Sequence, residues 1–376
     1  VVNIFAMLLL MLVATVFVTS PANLIASITP DWMTIGIITV LIFAYYLIST
    51  ILPIDKAMGK VYPWFGAILI ISTIAIGISL LTGGHNLPEL TMGAMQNFHP
   101  KGTPIFPAIF FTISCGAISG FHATQAPMVS RTSTNEREGR FLFYGMMIAE
   151  GVIAMIWAGA SMALFDGQTL SQMIDAGTPS AVVNQVSTML LGNVFGTVAI
   201  IGVIVLPISS GLSAFRSLRT ILADYMNIKQ DSMKKILMMT IPLFVISFFL
   251  TKVDFNLIWR YFNWANQVTA VIALLMSTRY LYLKNKNYLV TLLPATFMLY
   301  ACVVYILSEP IGFRMGLQTA TYLVGLVATV AIMALYWTTG VKQKVALSPE
   351  SELLNDHLPI GTFSSIDAVP AAVVAE

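Results

Sequence analysis

Charge is what this sequence has least of. Only 10% of its 376 residues are Asp, Glu, Lys or Arg, whereas 57% are hydrophobic. Soluble domains are about a quarter charged, so the composition excludes a water-facing globular fold and indicates a polytopic membrane protein. Cysteine is nearly absent. Cys115 and Cys302 both lie in apolar runs, which excludes a disulfide framework and a cysteine metal site. His85 and His99 stand near Glu89 without metal-ligand spacing, and His99-Pro100 reads as a turn. No nucleotide-binding loop and no HExxH pair is present, so no cofactor or metal is expected. A net charge of +2 gives no nucleic-acid footprint. A basic segment ahead of the first apolar run is missing too. The chain opens at Val1 inside that run, which reads as a spanning helix rather than a signal peptide, with earlier helices absent.

What is there is a series of apolar runs, each near the length a bilayer core requires. The expected spans are 4–24, 33–52, 64–81, 103–120, 141–165, 186–211, 235–250, 257–282, 288–307 and 317–338. The fold class is therefore an all-α polytopic membrane protein of about ten transmembrane helices, one domain over residues 1–340, followed by a disordered tail over 341–376. The connections test this count. Lys56 and Lys60 fall in the second; Arg131, Arg137 and Arg140 in the fourth; Arg216, Arg219, Lys229, Lys234 and Lys235 in the sixth; Arg279, Lys284 and Lys286 in the eighth; Lys342 and Lys344 in the tail. The other face holds Lys101, Lys252, Arg260 and Arg314. Basic residues in short loops stay cytoplasmic. The chain is accordingly placed in the cytoplasmic membrane, with its even-numbered connections and C-terminus inside.

Four polar constellations interrupt the apolar runs. The fourth span ends in Cys115-Gly116-Ala117-Ile118-Ser119-Gly120-Phe121-His122-Ala123-Thr124-Gln125-Ala126-Pro127. A spanning helix must satisfy its own backbone, so glycines and a proline at this depth mark a discontinuous helix near Gly120. Such breaks in transporters expose helix ends to a substrate. His122 and Gln125 share a helical face, one able to relay a proton and the other to donate and accept hydrogen bonds. The plainer reading leaves them at an interface, bonded to a neighbouring helix. Glu150 lies about 14 Å along the fifth span, at ~1.5 Å per residue. A carboxylate there must be protonated, paired or facing water. It reads as a proton carrier, as the partner that orients His122, or as a structural Glu between helices. The sixth span contains Pro207, followed by Ser209 and Ser210. It reads as a second discontinuity suited to an ion or polar substrate, or as a kink with serines bonding back. Arg216, Arg219 and Asp224 beyond it read as a solvated cytoplasmic face. The eighth span places Asn263, Asn266 and Gln267 on one face, where they bind another helix or line a cavity. Arg260, nearer its outer end, reads as an interface anchor, an attractor of anionic substrate or one half of a gate.

Several segments resemble the carbon starvation protein A (CstA) family of membrane transporters. They are Leu52-Pro53-Ile54-Asp55-Lys56 with Gly59-Lys60-Val61-Tyr62-Pro63, Phe98-His99-Pro100-Lys101-Gly102, the Cys115–Pro127 stretch, Phe143–Gly151, Leu206–Gly211 running to Ser217, and Trp259–Gln267. The resemblance implies a nutrient-scavenging secondary transporter, with peptides or pyruvate as substrate and a proton or other cation as coupling ion. It also implies a LeuT-type inverted-repeat fold with an incomplete first repeat. An acidic residue expected after Ser210-Gly211 is replaced by Leu212, so no carboxylate role carries over there. Substrate contact is assigned to Ser119, Gly120, Phe121, His122, Thr124, Gln125, Ser209, Ser210, Asn263, Asn266 and Gln267, and proton coupling to Glu150 and His122. The lipid bilayer is the expected environment. A membrane-embedded enzyme using Glu150 and His122, and a nutrient sensor signalling through the tail, are the other classes the residues allow.

Overall fold

The computed structural model describes residues 2–341, apart from 52–54, 86, 88, 90, 93–96, 98, 101, 103, 115, 117 and 134. The expected tail beyond 341, and Cys115 and Ala117 of the interrupted stretch, lie outside the described residues. Among the described residues the fold is all-helical. Its helices are α1 (Val2–Ile28), α2 (Ile35–Ile51), α3 (Asp55–Thr82), α4 (Ile105–Ser114), α5 (Gly120–Thr132), α6 (Met146–Leu164), α7 (Gly167–Tyr225), α8 (Met233–Leu250), α9 (Phe255–Leu283), α10 (Leu289–Ser308) and α11 (Thr319–Leu335). A π-helical turn over Arg140–Gly145 leads into α6, and another over Tyr336–Val341 extends α11. Among the described residues seven helical stretches are long and apolar enough to cross a membrane; α2 and α4 are shorter apolar helices.

The first helix is the hub. Leu9, Leu10, Val13, Ala14, Val16 and Val18 are almost fully buried, so the middle of α1 is covered while Ile4 and Leu8 near its start are exposed, as suits a helix without a polar face. It packs against α2, α5, α7, α8 and α9. Hydroxyls join the helices where apolar packing alone gives no direction. Thr15 and Ser247 share a 3.0 Å hydrogen bond between α1 and α8, and Asn184 donates to Ser27 Oγ at 2.7 Å between α7 and α1. By contrast α6 is peripheral. It packs on α3 and α7, while Ile148, Val152, Met155 and Met162 remain exposed.

Two features of α7 correct the sequence reading. Its helix runs through Pro207 without a discontinuity. Ser209 Oγ donates to the Leu206 carbonyl and Ser213 Oγ to the Ser209 carbonyl, at 2.8 and 3.2 Å, so the serines bond back to their own helix. The break lies instead at Gly192, whose φ is +74°, a conformation open to glycine at little cost. A Cβ on Gly196 would sit 2.8 Å from the Ser187 carbonyl oxygen. Nine residues of straight helix span about 13.5 Å, so the chain folds back on itself at Gly192. The segment before it, expected in part as an outer connection, is helical from Gly167. Asp166 Oδ1 accepts from the Thr169 amide at 2.7 Å, and this hydrogen bond lowers the Asp166 carboxyl below its ordinary range. That is an N-cap in its usual form.

Candidate functional site

The fourth apolar run is interrupted as its glycines predict. After α4 ends at Ser114 the chain leaves helical geometry, and α5 restarts at Gly120. The restart is fixed by α9. Asn266 Oδ1 accepts from Ser119 Oγ at 3.1 Å and from the Phe121 amide at 2.9 Å. The first turn of α5 has orphan amides and its N-cap Ser119 makes no side-chain cap within its own helix. Asn266 therefore caps α5 from the neighbouring helix. Gly120 is the point of closest approach: a Cβ there would collide with the Asn266 carbonyl oxygen and Thr269 Cβ.

Asn263, Gln267, Ala270 and Leu274 follow one another at four, three and four residues along α9, and so share a face. Ala270 and Leu274 line a cavity of about 460 Å³, whereas Asn263 and Gln267 are not among its lining residues. That volume lies in the range of small-molecule pockets. Its walls include Ser119, His122 and Gln125 of the α5 region, Phe143, Met146, Met147 and Glu150 leading through α6, and Ser277 of α9. Gln267 is fully buried and neither atom of its amide has a hydrogen-bond partner; Asn263 Oδ1 is likewise buried and unpartnered. Leaving such a group unsatisfied costs roughly 1–3 kcal/mol. Gln267 stands 12 residues from the start of α9 and 16 from its end, near mid-helix.

The expected meeting of His122 and Glu150 is present: Nε2 lies 3.3 Å from a Glu150 carboxylate oxygen across the cavity. Glu150 is not enclosed; its side chain is 47% exposed, and His122 is 33% exposed with its Nδ1 buried and unpartnered. Gln125 donates to Ser217 Oγ of α7 at 3.3 Å, which ties it between helices while it lines the cavity. Thr124 Oγ1 donates to the Phe121 carbonyl at 2.7 Å and the Phe121 ring meets Phe17 of α1 edge-on at 5.9 Å, so these two serve packing here.

Ser209 and Ser210 do not join this group and are not part of the cavity wall. The expected helix end at Pro207 that would have presented them does not form. Arg260 pairs with Glu309 of the chain after α10 at 3.1 Å, rather than standing alone. No group of three or more His, Cys, Asp or Glu side chains able to hold a metal occurs among the described residues. Sequence reasoning missed the cavity's methionine and phenylalanine wall, since apolar residues in a spanning helix carry no signal of which way they face. It also missed Gly192, a lone glycine in an apolar run.

The sequence profile of the family described as carbon starvation protein CstA matches residues 1–256. The chain belongs to the CstA family. An uncharacterized membrane protein of Haemophilus influenzae is 38% identical over 226 residues, covering 47% of this chain and 61% of the relative. The pyruvate/proton symporter BtsT of Escherichia coli is 33% identical over 127 residues, and the peptide transporter CstA of the same organism 31% over 134; each match covers 17% of the relative. This CstA-family chain thus aligns with less than two thirds of each relative's length.

Proposed function

We propose that this CstA-family chain forms the core of a secondary active transporter of the cytoplasmic membrane that moves a small carboxylate such as pyruvate, or a peptide, together with a proton. The observation that carries this reading is the interrupted helix between α4 and α5, capped by Asn266, next in sequence to the unpartnered Gln267, and opening on the cavity of the His122–Glu150 pair. A transporter needs polar groups at membrane depth that a substrate can satisfy and then leave unsatisfied. A helix break beside a buried amide meets that need. A His–Glu pair facing a cavity can take up and release a proton, because histidine changes charge in the physiological range. The names of the E. coli relatives support transport of a pyruvate- or peptide-like substrate.

In this reading Ser119, Gly120, Asn263, Asn266 and Gln267 form the substrate end and His122 and Glu150 the proton end. Taking α4 and α5 as halves of one crossing, and the part of α7 after Gly192 as the crossing of that helix, we read ten spans with the basic connections and the C-terminus inside. A LeuT-type inverted repeat is the arrangement this implies. The test is uptake into proteoliposomes of labelled pyruvate and of a labelled dipeptide, with and without an inward proton gradient. Accumulation of either that follows the gradient and collapses with a protonophore is expected. Equal entry in liposomes lacking the protein would sink the reading.

A further inference from the structure

A second polar cluster lies away from the cavity, where α2, α7 and α8 meet. Tyr46 of α2, Phe215 of α7 and Phe244 of α8 form an aromatic layer: Phe215 and Phe244 lie 4.6 Å apart, Tyr46 and Phe215 5.7 Å, and Tyr46 and Phe244 6.4 Å. Helix directions follow from the neighbouring contacts. Phe43 meets both Phe244 and Phe248, so α2 and α8 run antiparallel. Arg219, one turn after Phe215, bonds Thr240, one turn before Phe244, so α7 and α8 do as well. Ser49, one turn after Tyr46, therefore falls in the same next layer as Arg219 and Thr240.

That layer holds donors without acceptors. Among the described residues the Arg219 guanidinium makes one hydrogen bond, from a terminal nitrogen to Thr240 Oγ1 at 3.4 Å, while its Nε is buried without a partner. Thr240 uses its own hydrogen on the Ile236 carbonyl at 2.8 Å. Ser49 Oγ is buried and unpartnered. Arg219 has no carboxylate partner among the described residues; Arg216 is the charged neighbour that acts on it, and it is another cation. A guanidinium carries five N–H donors in a planar fork matched to two oxygens of a carboxylate or phosphate. A partly buried cation with most of that fork unused calls for an oxyanion.

We propose that Arg219 and Ser49 bind an oxyanion, a phosphodiester or phosphate group, at the basic end of α2, α7 and α8. The site stands nearly two turns before α7 ends at Tyr225, and a lipid headgroup and a soluble anion are the two sources of such a group. It is separate from the transport reading and does not depend on it.

The purified full chain is reconstituted in phosphatidylcholine nanodiscs, in nanodiscs containing phosphatidylglycerol, and in phosphatidylcholine nanodiscs with added inorganic phosphate. Thermal unfolding midpoints are measured, with native mass spectrometry of retained lipid. Phosphatidylglycerol retained by the wild type, with apparent affinity at least about tenfold weaker in Arg219→Gln, supports the site and names lipid as its source. A midpoint raised by phosphate alone, and lost in the same variant, supports it with a soluble anion. Arg219→Lys and Ser49→Ala, each expected to weaken binding severalfold, keep the test open should Arg219→Gln fail to fold. Equal binding by wild type and all three variants overturns the proposal. So does an equal loss in the surface variant Lys234→Gln, which would assign the effect to general basicity.

Discussion

His122 and Glu150 face each other at 3.3 Å from two helices held apart by the cavity that both line. The pair is thus the polar link across that gap. Because Glu150 is half exposed and stands on the peripheral α6, its removal leaves the helix packing in place and acts on function. Glu150→Gln is expected to leave expression and unfolding temperature nearly unchanged. Gradient-driven uptake should fall at least about tenfold, the scale of one charge-assisted hydrogen bond. His122→Asn should lower gradient-driven uptake to a similar extent, since it removes the other half of the pair. Proteoliposome uptake with and without the gradient is the measurement. Wild-type uptake in Glu150→Gln removes the carboxylate from the mechanism.

Gly120 makes a different kind of prediction. Its Cα lies against the Asn266 backbone and Thr269, with no room for a methyl group. Gly120→Ala must push α5 away from α9 and stretch the hydrogen bonds from Ser119 and Phe121 to Asn266. Overpacking of this sort costs about 1–3 kcal/mol. Asn266→Ala removes the cap without adding bulk and should cost about 0.5–2 kcal/mol. Denaturant unfolding in detergent measures both. A neutral Gly120→Ala would mean that α5 and α9 do not meet as closely as described.

Gln267 separates stability from function. Its amide is buried and unpartnered, so an apolar side chain of similar size suits the folded protein better. Gln267→Leu is expected to stabilise the chain by roughly 1–3 kcal/mol, the penalty of an unsatisfied buried amide, while uptake is lost. A variant that is both more stable and inactive would mark Gln267 as a group kept for a ligand. Loss of stability in Gln267→Leu would show instead that the amide is satisfied in the folded protein.

The sequence made much of this site legible, and the reasons are physical. Glycines in an apolar run at Gly116 and Gly120 announce a break, because lipid offers an unpaired backbone nothing, whereas Pro127 marks none, since α5 runs through it. Asn263, Asn266 and Gln267 announce a buried face, because amides in a spanning helix seek partners. A lone Glu150 demands a partner, and His122 supplies it. What stayed hidden depends on tertiary contact. Ser209 and Ser210 are read equally well as ligands or as hydroxyls bonding back, and only the course of α7 decides. Arg219 looks like one of several solvated basic residues until Thr240 of α8 is placed against it.

Gly192 and Pro207 carry the sharpest reversal, and they yield opposite expectations. At Gly192 φ is +74° and a Cβ would meet nothing within 4 Å. The cost of Gly192→Ala is therefore conformational rather than steric, about 1–2 kcal/mol for a left-handed L-residue. Pro207 sits inside a continuous helix, where proline removes a backbone bond and costs about 3 kcal/mol relative to alanine. Pro207→Ala should then stabilise the chain, by less than that figure because the surrounding helix has adjusted to the ring. If transport needs the fold-back at Gly192, uptake falls in Gly192→Ala and persists in Pro207→Ala. The reverse pattern would return the functional break to Pro207. Paired unfolding and uptake measurements on the two single variants distinguish these outcomes.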